Sequence, residues 1–132
     1  MLKPTVLALV FALPNCWGDE TISGYADSSA TYALTDIDGA PFGAHATIRF
    51  PEEGRIEGEG PCNSFSGAQS APYPWFDTGS IAATRRACPD LPAETAFFTA
   101  LSAMTLSEAQ GDILILSNEE GREMIFRRMS DG

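Results

Sequence analysis

The sequence predicts a mainly antiparallel β domain carrying one helix (α+β), and three observations support that class. Residues 44–50 alternate apolar and polar side chains, the period of a half-buried strand. Turn-forming segments at Asp38-Gly39, 51–54 and 118–121 separate runs rich in β-forming residues. Helical spacing is found at Phe97, Phe98, Leu101 and Met104, which recur three and four residues apart along one apolar stripe.

Taken in order, Met1, Leu2 and Lys3 form a short basic start. Residues 4–13 (PTVLALVFAL) are an apolar run too short to span a bilayer and suited to the core of a signal peptide. Residues 1–18 are therefore read as an export leader, with two routes of processing left open. One is lipidation at Cys16, which would give a lipid anchor to the membrane; the other is cleavage after Gly18. Residues 19–30 are polar and unpatterned and read as a linker, so the domain is placed at 31–128.

Residues 31–37 (TYALTDI) predict a first strand, closed by the Asp38-Gly39 turn. In the alternating run, Ala46, Ile48 and Phe50 face the core and His45, Thr47 and Arg49 face out. After the turn at 51–54, residues 55–60 return as an antiparallel strand with Glu57 and Glu59 on one face. Residues 61–75 contain Pro61, Gly67, Pro72 and Pro74, so a long loop with little regular pairing is expected. Short strands are expected at 75–76 and 80–85. The helix follows, with Asp90 as N-cap and Pro92 in its first turn. Four consecutive apolar residues at 113–116 imply cover on both faces of a strand, and a hairpin ends on a strand at 122–128.

Charge and chemistry exclude several functions. Without Lys3 the chain has seven Arg against eighteen Asp and Glu, a balance of −11, so nucleic acid is not expected as a partner. His45 is the sole histidine and lies on an outward face, which argues against a Ser-His-Asp or Cys-His centre. Carboxylate pairs such as Asp36/Asp38, Glu52/Glu53 and Glu119/Glu120 lie at turns and read as a solvated rim. They do not suggest calcium or glycosidase chemistry. No segment has the form of a phosphate-binding loop. No cofactor or metal is expected. Cys62 and Cys88, 26 positions apart, fit neither a zinc ribbon nor a redox C-x-x-C, which leaves a structural disulfide or two buried thiols.

The segments GPCNSFSG (60–67) and TRRAC (84–88), followed by a helix bearing Glu94, Phe97 and Leu101 and a closing strand with Ile125, Phe126 and Arg128, resemble the META domain family of HslJ-like bacterial envelope proteins. The matching positions are Cys62, Asn63, Phe65 and Gly67, then Thr84, Ala87 and Cys88, with Pro61 standing where the family usually has Gly. The resemblance implies a small lipocalin-like antiparallel β-barrel or roll with the helix packed across it, in a periplasmic or outer-membrane-associated protein, and it does not imply an enzyme. Asn63 is suited to bonding its own loop backbone.

Tyr73, Trp75 and Phe76, with Arg85 and Arg86, are the candidate partner surface, and the three aromatics have a second reading as a plug for one end of the barrel. The arginine pair has a second reading, as a salt bridge to the Glu57/Glu59 face. The favoured function is a non-catalytic envelope module that contacts an envelope protein to support a complex or stress response. The alternative is an inhibitor or binder of a cationic envelope enzyme or small ligand.

Overall fold

Asp38 and Gly39 both take positive φ, 52° and 80°, the conformation that a two-residue hairpin turn demands. They join β1 (Tyr32–Ile37) to the two-residue β2 (Ala40–Pro41). The alternating run supplies β3 (Thr47–Arg49), and β4 (Gly54–Glu59) returns beside it. Next come β5 (Ser64–Gln69) and the short β6 (Ile81–Ala83). The helix, α1 (Leu91–Ala103), leads into β7 (Leu106–Gln110), β8 (Ile113–Ser117) and β9 (Glu123–Arg128). The computed structural model describes residues 18–130; the expected leader up to residue 17, with Cys16, lies outside them.

All strand pairs are antiparallel, and the sheet runs β6-β5-β4-β3-β1-β9-β8-β7, with β2 beside β1. The path has two ends, so the expected barrel or roll is an open, curled half-barrel. Period-two alternation puts Tyr32, Leu34, Ile48, Ile56, Phe65, Leu114, Leu116, Met124 and Phe126 in one core. The helix covers this core with Phe97, Ala100 and Leu101 at its buried side, and Met104, buried too, follows as its C-cap. The Phe65 ring meets Phe97 and Phe98 edge-on, at centroid distances of 5.6 and 5.4 Å.

Four expectations change. Residues 64–69 are not an irregular loop: they form β5, paired on both sides. The 75–76 strand reduces to a single bridge between Trp75 and Leu106. β7, an edge strand of sequence LSEAQ, was not anticipated. Residues 19–30 are not a simple tether. Ile22 is 1% exposed, in a 3₁₀ turn (Ile22–Gly24), and Asp19 accepts hydrogen bonds from Thr21 and Ser23. Ala30 is buried as well, the Tyr25 ring stacks on Tyr73, Tyr73 N donates to Glu20 O and Arg128 pairs with Asp27, so several contacts dock the segment onto the core.

The helix follows Asp90, whose side chain makes no capping bond, and Pro92 lies in the first turn. In β8, Leu114 and Leu116 are fully buried while Ile113 and Ile115 are half-buried, so cover is complete on one face only. Among the described residues no helix is long and apolar enough to cross a membrane.

Candidate functional site

The paired cysteine segments meet beneath the helix N-terminus. Cys62 and Cys88 are bridged, with Cα atoms 5.7 Å apart, inside the usual disulfide range. Closing a loop of this length is worth about 3–4 kcal/mol on the chain-entropy estimate. Beside the bridge, Glu94 is 5% exposed. Its Oε1 accepts from the backbone N–H of Cys62 and Asn63 at 3.0 and 2.8 Å, and its Oε2 accepts from Asn63 Nδ2 at 2.7 Å. Asn63 in turn donates through Nδ2 to Arg86 O, and its Oδ1 accepts from Thr84 Oγ1 and Arg86 N.

Every polar atom of this cluster therefore has a partner; among the described residues no buried side-chain polar atom lacks one. Gly60 is required here because a Cβ at that position would lie 2.8 Å from Glu94 Oε1. A buried carboxylate held by three neutral donors is a lock between helix, loop and disulfide. Asn63, Phe65, Thr84 and Cys88 belong to it or its core, whereas Ala87 is exposed and Gly67 half-buried. Glu94 carries the family resemblance in the sequence, but its role as the acceptor of this cluster emerges only in the structure. Its signal in the sequence is a carboxylate one turn before Phe97 and Phe98, on the apolar face of the helix.

The outward face of β3–β6 forms an open groove of about 770 Å³ lined by His45, Thr47, Arg49, Glu57, Glu59 and Ser64 among others. His45 is exposed as expected, with Nε2 3.6 Å from Glu59 Oε2. Among the described residues its one charged neighbour is Glu59, and no hydrogen bond joins it to a serine or threonine. Glu57 pairs with Arg49 and Arg55. It does not pair with Arg85 or Arg86, which stand exposed and in no ion pair among the described residues. The salt-bridge reading of that pair is thereby corrected. No group of three metal-ligating side chains occurs among the described residues.

The candidate aromatic surface divides. Phe76 is 2% exposed and belongs to the core, so it is withdrawn from the surface. Tyr73 is half-buried: its ring stacks on Tyr25 at 4.1 Å and its hydroxyl accepts from Ala109 N. Trp75 alone stays open, at 53%. The proline-containing segment holds it there because Trp75 N donates to Pro72 O, Phe76 N to Thr105 O, and Ser107 N to Pro74 O. A shallow groove of about 410 Å³ beside it is lined by Trp75, Ala103, Thr105, Asn118, Glu119 and Glu120.

A family model described as META domain matches residues 27–131. No curated protein sequence matches the chain. Among solved structures, a protein from Burkholderia xenovorans determined by NMR is similar with a TM-score of 0.62 at 21% identity, over 76% of this chain and 82% of that one. A crystal structure of a DUF4847 family protein from Bacteroides vulgatus is similar with a TM-score of 0.61 at 14% identity, over 80% and 96%. At these identities the likeness shows the fold alone.

Proposed function

We propose, from the premise that this chain belongs to the META domain family, that it is a non-catalytic module of the cell envelope, working by contact with another protein to support a larger complex or stress response. The observation that carries this reading is the contrast between Trp75 and the motif residues. Asn63 and Glu94 are consumed by internal bonds, while a large aromatic ring is held in solvent by a segment whose backbone is pinned on both sides. Exposed Trp on a fixed support is what interface anchors are made of. The export reading draws support from the leader pattern and from a disulfide, which persists in oxidising compartments.

A second reading, capture of a cationic partner, is favoured by the position of Glu119 and Glu120 in the Trp75 groove. An indole face with carboxylates beside it suits a Lys or Arg side chain. The test is a photo-crosslinking amino acid placed at position 75 of the full exported chain, with position 28 as an exposed control. A discrete crosslinked protein from 75 and none from 28 is expected, and a crosslink lost with added salt selects the cationic reading. Equal labelling from both positions would refute a contact at Trp75.

A further inference from the structure

The two ends of the sheet are treated differently. At the β7 end the outer backbone groups are taken, because Ser107 N donates to Pro74 O, Phe76 N to Thr105 O, and Ala109 N to the Tyr73 hydroxyl. Segment 73–76 thus covers that edge. At the β6 end, Thr84 N donates to Ser64 O, and the Ser66↔Ala82 register then turns the backbone groups of Ala82 and Thr84 toward β5. Asn63 extends the same side of the ladder with its side chain, accepting from Arg86 N and donating to Arg86 O. Residues 82, 84 and 86 are therefore bonded inward.

Alternation turns the N–H and C=O groups of Ile81, Ala83 and Arg85 the other way, and among the described residues none of them has a partner across that outer edge. Residues 82–87 are exposed, and no proline interrupts 80–88. Ala82 and Ala83 have side chains too short to obstruct a neighbouring strand. The edge ends in Arg85 and Arg86, which with Arg127 form no ion pair among the described residues, whereas Arg49, Arg55, Arg122 and Arg128 are each paired with a carboxylate.

We propose that the outer edge of residues 81–86 is a docking rail for an extended segment of a partner protein, which adds as a further strand and brings acidic side chains to Arg85 and Arg86. Main-chain bonds to Ile81, Ala83 and Arg85 supply affinity. The two guanidinium groups supply selection, donating bidentate hydrogen bonds to carboxylates and repelling basic strands. The inference rests on the reading of the chain as a contact module but uses a surface at the other end of the strand order from Trp75.

The probes are two fluorescein-labelled synthetic peptides of alternating Thr and Val, one ending in two Asp and the other in two Lys, titrated into the disulfide-bonded chain. The Asp peptide is expected to bind at least about tenfold more tightly than the Lys peptide. Arg85→Glu with Arg86→Glu should reverse that order, and Ala83→Pro, which removes an outward N–H, should weaken the Asp peptide by about tenfold or more. Trp75→Ala should leave it unchanged. On binding, hydrogen exchange should slow at the amides of Ile81, Ala83 and Arg85, while those of Ala82, Thr84 and Arg86 are slow already. Should the Ala83→Pro chain fail to fold, the charge reversal decides by itself.

Equal binding of both peptides, or an unaltered order after charge reversal, overturns the proposal. So does a dimer in sedimentation that Ala83→Pro dissolves, because the occupant is then a second copy. Peptide binding without a crosslink at position 75 refutes the Trp75 reading and leaves this one standing.

Discussion

Glu94 shows how one side chain ties three parts of the fold together. Its carboxylate satisfies the backbone of Cys62 and Asn63 and the side chain of Asn63, so Glu94→Ala removes the acceptor of two buried hydrogen bonds and one part-buried one. The expected loss is on the order of 3 kcal/mol, read by denaturant unfolding, with Glu94→Gln intermediate because its amide oxygen still accepts. Asp38 illustrates the same principle at the surface. The Glu123 N–H, followed by the Arg122 guanidinium, holds its carboxyl below the ordinary value of 3.8.

Asp27 is lowered by Ser29, with Arg128 adding to it. At Asp19 burial pushes upward but is outweighed by hydrogen bonds from Ser23 and Thr21. For groups lowered in the fold, stability is present above the ordinary value and is lost as pH falls through the folded one. Thermal midpoints should therefore drop below about pH 4, and Asp38→Asn should flatten that acid limb. The cysteines were legible at this scale because their type and spacing advertise a bridge, whereas the Asn63 side chain, expected to bond its own loop, instead bonds Thr84, Arg86 and Glu94. Glu94 and the outward amides of Ile81 and Ala83 were harder to see, since one depends on what the helix covers and the others on strand register.

Among the elements, the helix was the most legible, because Phe97, Leu101 and Met104 repeat at helical spacing and all three are buried. Leu101 is completely buried, so Leu101→Ala should cost about 2–5 kcal/mol in unfolding free energy, checked by urea titration at constant slope. β5 was illegible for a physical reason. Ser64, Ser66 and Gly67 are weak strand formers, and pairing on both sides with β4 and β6 overrides their preference. β7 was hidden in the same way, since LSEAQ reads as helix or loop until it lies beside the strongly apolar β8. The polar segment at 19–30 misled because composition alone does not reveal that Ile22 is an anchor or that Tyr73 N donates to Glu20 O.

At the scale of the whole molecule, the half-barrel separates stability from contact. The motif residues, disulfide and helix build the interior, and the accessible features among the described residues include the outer groove of β3–β6, Trp75 beside its acidic turn, and the basic edge at 81–86. The fold class was readable because alternation and turn residues are local signals. The division of the aromatic cluster was not, since Phe76 and Trp75 are neighbours of similar chemistry and only the bridge to Leu106 decides which of them faces solvent. The most direct test is Trp75→Ala, comparing crosslinked partner yield in intact cells with the thermal midpoint of the purified chain. Loss of the crosslink, made through a second labelling position on the same groove such as Glu120, is expected, with stability unchanged within about 0.5 kcal/mol. A fall in the midpoint as large as that of Leu101→Ala, or an undiminished crosslink, would contradict it.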